Sequence, residues 1–193
     1  MALILASASA IRRSMLDAAG VEHQVVPARV DETAVRSSVA DPSAIAGMLA
    51  AAKALAVSAE RRDDWVIGSD SVVEVGGRIF GKPGSRAEAA EHLRAFSGKP
   101  MRLTSAVALA RGEIENWRYA EAATLTVRAL SDRFIETYLE AEWPEVGYTV
   151  GVFRLEGRGV QLFERIDGDY FVILGMPLIP LLGALRERGI IPA

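Results

Sequence analysis

A carboxylate stands in the middle of an apolar run, Trp65-Val66-Ile67-Gly68-Ser69-Asp70-Ser71-Val72-Val73. Placing a charge in such a strand is costly unless it is paired or bound to metal. Asp70 therefore reads either as half of a structural ion pair or as a chemical centre. Ser7-Ala8-Ser9-Ala10-Ile11-Arg12-Arg13 is a second constellation, with two hydroxyls and two guanidinium groups between an apolar run and the start of a helix. Amide groups at a helix start attract anions. Arginine in the first turn opposes that field, a conflict that a bound phosphate would remove. The plainer reading makes Ser9 a cap and the arginines solvated surface.

Three further groups carry weaker signals. Asp31-Glu32 can hold a hard cation or merely decorate a surface turn. Lys53 lies beside an apolar stripe, where it can reach a phosphate or snorkel to water. In Val150-Gly151-Val152-Phe153-Arg154-Leu155-Glu156-Gly157, glycines bracket an aromatic and an acid. Such a loop can lie against a base, with Phe153 stacking and Glu156 bonding an edge, or Phe153 can simply be buried in a strand.

These groups need elements to place them. Ala2 to Ala6 reads as a buried strand, followed by a helix to about Ala19 with Gly20 as its stop. Val21 to Val30 reads as a second strand. Asp41-Pro42 opens a helix to about Val57 with an apolar stripe of Ile45, Leu49, Ala52 and Ala56. Trp65 to Val75 and Arg78 to Gly81 form a hairpin about Gly76-Gly77. A tight turn there puts Lys82 opposite Ser71, one position out of register with Asp70. Ser85 and Glu88 form a capping box for a helix to about Phe96. Leu103 to Ala110 and Trp117 to Val127 are strand-like, and Ser131 caps a helix ending near Ala141. Val160 to Ile166 and Tyr170 to Leu174 read as a hairpin about Asp167-Gly168. A last helix follows Pro177 and ends before Gly189. The pattern is mixed α/β (α+β), a sheet with helices packed on it.

Composition narrows the function classes. The chain has 193 residues, half of them hydrophobic, enough for one domain with a sizeable core or two lobes sharing a site. A net charge of −3 disfavours a nucleic-acid or membrane-surface binder. Without cysteine there is no disulfide, thiolate metal site or cysteine nucleophile, and His23 and His92 have no obvious co-ligands. A metal here takes oxygen ligands, which points to Mg²⁺ or Mn²⁺. The apolar start runs into Arg12 and Arg13 with no basic region before it, so it reads as a strand and not a signal peptide. No apolar run reaches the roughly 18 residues of a membrane span, and cytoplasm is the default.

Taken together, the segments resemble the Maf family of nucleotide pyrophosphatases. The resemblance rests on Leu5-Ala6-Ser7-Ala8-Ser9 with Arg12-Arg13, Val30-Asp31-Glu32, Lys53, Ile67-Gly68-Ser69-Asp70, and Gly81-Lys82-Pro83. Leu93 through Ser97-Gly98, and Ile166 through Tyr170 before Gly175-Met176-Pro177-Leu178, complete it. It implies a single domain over residues 1–193 with an ITPase-like mixed twisted sheet and two lobes around a central cleft. It further implies hydrolysis of a nucleoside triphosphate to a monophosphate and pyrophosphate, which would keep modified nucleotides out of nucleic acids. By that resemblance Asp70 is base or metal ligand, and Glu32 helps bind Mg²⁺ or Mn²⁺. Ser7, Ser9, Arg12, Arg13, Lys53 and Lys82 hold phosphates, with Lys53 and Lys82 counted beside Asp70 in the catalytic set.

Ile11, Ser71 and Glu156 occupy places tied to base choice. Glu156 matches the branch that prefers 7-methyl-GTP, where a carboxylate favours a methylated, positive ring. Ile11 does not match that branch's tryptophan. The resemblance also suggests a homodimer. A non-catalytic nucleotide-binding regulator of cell division or septum formation is the alternative.

Overall fold

The computed structural model describes residues 1–39 and 41–192. Two compact units divide the chain. The first comprises Met1–Ser71, Thr104–Glu121 and Asp169–Ala193, and the second Val72–Leu103 and Ala122–Gly168. Strands β1 (Leu3–Leu5), β2 (Gln24–Val25), β3 (Trp65–Val75), β4 (Arg78–Phe80), β5 (Pro100–Arg111), β6 (Ile114–Val127) and β7 (Phe163–Asp167) make a seven-stranded mixed sheet. Its order is β2-β1-β3-β5-β6-β7, with β4 on β3. The fold class is mixed α/β, as the sequence predicts.

In the first unit β1 pairs parallel with both β2 and β3, aligning Leu5 with Val25 and with Ile67. Helices α1 (Ala10–Ala18), α2 (Glu32–Ser38), α3 (Pro42–Glu60), α6 (Tyr170–Leu174) and α7 (Leu178–Glu187) belong to this unit. Its core joins Leu3, Leu5, Leu16, Ile67, Leu109, Leu181 and Leu185. The second unit holds α4 (Arg86–Phe96), α5 (Asp132–Glu142) and two short 3₁₀ turns, Glu145–Tyr148 and Arg158–Leu162.

Several boundaries depart from expectation. The second strand shrinks to two residues, because only Gln24 and Val25 find a partner on β1. Asp31-Glu32 is not a loop: Asp31 caps α2 by accepting from the Thr33 amide at 3.0 Å, and Glu32 begins the helix. Tyr170 to Leu174 is a helix and not a return strand. Asp169 Oδ1 accepts from the Val172 amide at 3.0 Å, and Gly175 ends the helix at φ 111°. β7 pairs antiparallel with β6 instead, Thr124 opposite Asp167. The buried face of α3 is broader than the expected stripe: Ala50, Ala51, Ala54 and Val57 are buried, while Ala52 and Ala56 are half-buried. α3 is long and apolar enough, by length and composition, for a membrane span, but Ser43, Lys53 and Ser58 interrupt its apolar run and half of it is buried in the protein, as in the core helix of a globular unit.

The Gly76-Gly77 hairpin has the expected register, Val75 opposite Arg78, with both glycines at positive φ. β4 ends at Phe80, so the ladder does not extend to Lys82. In the capping box Ser85 Oγ accepts from the Glu88 amide at 3.1 Å, but the Glu88 carboxylate accepts from Gly84 at 2.7 Å, beyond the box.

His92 on α4 is buried against Phe80 and Phe96, with ring centroids at 5.1 and 5.9 Å. Burial lowers its pKa from 6.5, and attraction to Glu88 opposes that only in part. A His held neutral in the folded state stabilises fully above its unfolded pKa and loses that contribution as pH falls. Between pH 6.5 and about 5, urea-denaturation stability is expected to fall more steeply in the wild type than in His92→Gln. Equal slopes would show that His92 titrates alike in both states.

Candidate active site

The first unit gathers most of the chemical residues around one close approach. An added Cβ at Gly68 of β3 would lie 2.1 Å from the Ala50 carbonyl oxygen and 2.6 Å from the Ala54 amide nitrogen. Only glycine lets β3 and α3 come this near. The consequence is on the same turn of α3, where Lys53 Nζ meets Asp70 Oδ1 at 2.6 Å and Glu32 Oε1 at 2.7 Å. Asp70 is 6% exposed, so this ammonium contact offsets a desolvation cost that an isolated carboxylate could not bear. Lys53 does not snorkel away: it bridges two carboxylates from β3 and α2.

Arg12 has a different task. Its Nε donates to the Gly175 carbonyl at 2.9 Å, and its Nη1 to the Ser69 carbonyl at 2.9 Å and Ser7 Oγ at 3.4 Å. Its Nη2 donates to Ser71 Oγ at 3.0 Å. Four hydrogen bonds use four of its five donors. Burial lowers the Arg12 pKa from its usual value, opposed by attraction to Asp70 and Glu32. Ser71 Oγ also meets Ser105 Oγ at 2.9 Å, and Ser105 Oγ donates to the Val172 carbonyl at 2.7 Å. The Ser71 hydroxyl is thus committed to holding Arg12. Sequence reasoning missed Ser69, Ser105 and Gly175, because their partners lie on distant segments.

Arg13 turns outward, pairing loosely with Asp17 at 3.5 Å. With Ser7, Ser9, Ser14, Asp17 and Val25 it lines an open concavity of about 350 Å³ at the start of α1. Ser9 occupies the N-cap position without a side-chain cap bond, and the first turn holds no acid, so the amides there keep their affinity for an anion. Asp70, Lys53 and Glu32 do not line this concavity. The Ser7–Arg12–Ser69 contacts connect the two regions. Ile11 is half-buried on α1.

Lys82 and Glu156 belong to the second unit, where both are exposed. Phe153, proposed for stacking, is buried edge-on against Phe163 at 4.9 Å and is not available to a base. Among the described residues no three His, Asp or Glu side chains form a metal-ligating group.

A mixed α/β fold with a bridged carboxylate pair beside an uncapped, arginine-flanked helix start defines a site suited to a polyanion. Over residues 2–188 the chain matches the model of the Maf-like proteins, and it belongs to that family. It is 47% identical over 195 residues to the "7-methyl-GTP pyrophosphatase" of Rhizobium meliloti (strain 1021), covering 99% of this chain and 98% of that one. It is 44% identical over 191 residues to the "Nucleoside triphosphate pyrophosphatase" of Nitrobacter hamburgensis (strain DSM 10229 / NCIMB 13809 / X14), covering 98% and 95%.

Two predictions test this geometry. Gly68→Ala must push β3 from α3 and is expected to cost about 3 kcal/mol or more by denaturation. Gly183→Ala, a helical glycine with open space around it, is expected to stabilise by about 0.5–1 kcal/mol. Similar losses in both would show that the close approach is not special. Arg12→Lys cannot reach four acceptors and is expected to lower the melting temperature, whereas Arg13→Ala leaves it within about a degree of wild type. Equal thermal losses would contradict the assignment of Arg12 as the half-buried brace.

Proposed function

We propose that this protein is a nucleoside triphosphate pyrophosphatase that adds water across the link between the α and β phosphates, giving a monophosphate and pyrophosphate. The observation that carries the reading is the buried Asp70 held with Glu32 on one lysine and tied, through Arg12 and the neighbouring Ser69 carbonyl, to an uncapped helix start. Family membership and the names of the relatives support it.

The donor set fits a hard divalent cation. Asp70 and Glu32 present carboxylate oxygens already gathered about one positive charge, the Lys53 ammonium. Mg²⁺ commonly takes one or two carboxylates and completes its shell with water and substrate phosphates. When bound, such an ion neutralises phosphate charge and polarises the reacting centre. Lys53, which bridges the two carboxylates, would also be in place to neutralise phosphate charge. Ser7, Ser9, Arg13 and the first amides of α1 bind phosphate oxygens, and Arg12 braces the middle of β3 at Ser69 and Ser71. Asp70 either accepts the proton of the attacking water or holds the metal. Lys82 is assigned to phosphate and Glu156 to the base on the family resemblance.

For the base we favour a methylated or otherwise modified purine, where the Glu156 carboxylate would suit a positive ring. Removing such triphosphates would keep them out of nucleic acids. Action in the cytoplasm as a homodimer follows from the same resemblance.

With Mg²⁺ or Mn²⁺, the purified protein is expected to release pyrophosphate from a nucleoside triphosphate. Asp70→Asn is expected to reduce the rate by a factor of about 100 or more, and a chelator to abolish it. Release of inorganic phosphate, or no turnover with any standard or methylated triphosphate, would overturn the assignment. Tight nucleotide binding without turnover would favour the regulatory alternative.

A further inference from the structure

The loop carrying Glu156 is held from below by residues that the proposed chemistry does not use. Tyr138 Oη on α5 donates to the Val152 carbonyl at 3.0 Å, fixing a β-branched residue at φ 55°. That conformation is sterically unfavourable for valine and persists only where surroundings enforce it. Thr149 Oγ1 accepts from the Phe153 amide at 3.1 Å. At Gly159 an added Cβ would lie 2.5 Å from the Arg154 carbonyl oxygen, so the turn closes tightly there.

Glu142, one helical turn beyond Tyr138, is 8% exposed, and its Oε2 has no hydrogen-bond donor. Two arginines face it. Arg154 Nη2 lies 3.6 Å from Oε2, and Arg158 Nε 4.0 Å from Oε1. Arg154 Nε is likewise buried without an acceptor. Gly157 passes directly over this pair, an added Cβ lying 3.6 Å from Arg154 Nη2 and 3.7 Å from Glu142 Oε2. Burying an imperfectly bonded ion pair does little for stability by itself. Its effect here is on the neighbour. Arg154 and Arg158 flank Glu156 two positions to either side, yet the exposed Glu156 carboxylate forms no ion pair or hydrogen bond with any described residue.

We propose that Glu142 is a positioning residue for base selection: it holds the half-buried Arg154 and draws the exposed Arg158 guanidinium toward itself, and so keeps the Glu156 carboxylate un-neutralised for a positively charged base. The inference rests on the reading of Glu156 as base-facing. Without Glu142, both guanidinium groups lose their counter-charge and the nearest carboxylate on the loop is Glu156. Pairing there would cancel the charge that discriminates a methylated ring from a neutral one.

The test compares 7-methyl-GTP with GTP in steady-state kinetics, and their monophosphates in equilibrium binding. In Glu142→Gln the preference for the methylated nucleotide is expected to fall about tenfold, through KM and affinity, with kcat nearly unchanged. Glu156→Gln is expected to fall alike, and the double variant no further. Replacing Arg154 and Arg158 by Gln in the Glu142→Gln background is expected to restore the preference, which a merely structural role would not allow. Equal losses for both nucleotides in Glu142→Gln, or no rescue, would overturn the proposal. If Glu156→Gln leaves the preference untouched, or the wild type has none, the reading of Glu156 fails and the role of Glu142 with it.

Discussion

The first unit depends on how closely β3 can lie against α3. Strand and helix backbones are normally kept apart by a layer of side chains, and at Gly68 that layer is missing. The absence lets Ala50 and Ala54 press onto the strand and brings Lys53, on the same turn, within 2.6 Å of Asp70. A longer separation would leave Lys53 free to reach water, as long cationic side chains usually do, and would leave Asp70 without its short ammonium contact. The small residues around Lys53 on α3 therefore set its chemistry as well as the packing. Ala50, Ala51 and Ala54 are buried and contribute little side-chain bulk, which is what a close helix–strand contact requires.

The same economy governs the start of α1. Arginine in a first turn opposes the helix field, and the chain meets that conflict differently at two successive residues. Arg12 folds inward, where carbonyl oxygens of Ser69 and Gly175 and the hydroxyls of Ser7 and Ser71 receive it. Its charge is spread over four oxygens, and the Gly175 carbonyl among them also accepts from the hydroxyls of Ser69 and Ser71. Arg13 stays outside, loosely paired with Asp17. Neighbouring arginines of one motif thus act as a brace and as a solvent-facing cation. Ser71 follows Asp70 in sequence but serves the brace, through Arg12 and Ser105.

Local signals made much of this legible. The Gly76-Gly77 turn set the β3–β4 register because a two-residue turn with both residues at positive φ leaves one alignment. Asp41-Pro42, Ser85 and Ser131 marked their helices because each supplies a cap whose geometry is fixed within four residues. Two short helices escaped notice. Tyr170 to Leu174 is continuously apolar, and over five residues that composition serves strand or helix equally. The deciding groups were Asp169 before it and Gly175 after it. α2 was hidden because Asp31 and Glu32 drew attention as a carboxylate pair, while Asp31 spends an oxygen on the Thr33 amide. The Arg12 contacts were illegible for another reason: they join residues up to 163 positions apart, and nothing local encodes them.

Phe153 and Glu156 show why a motif must be divided before its chemistry is assigned. Both lie in one glycine-bracketed loop, and a single role for the loop would use both. The structure separates them. Phe153 turns inward onto Phe163 and, with the Tyr138 bond to Val152, anchors the segment. Glu156 then emerges exposed on a turn that closes tightly at Gly159, above the buried carboxylate of Glu142. An anchor and a reporter on the same loop have opposite requirements. The anchor needs burial and neighbours on every side, and a carboxylate that is to read a ligand, the role proposed for Glu156, needs an unpaired charge. Satisfying both within four residues demands a backbone that reverses sharply, in keeping with a valine held at positive φ beside the anchor and a glycine at 159, where a side chain would collide with Arg154.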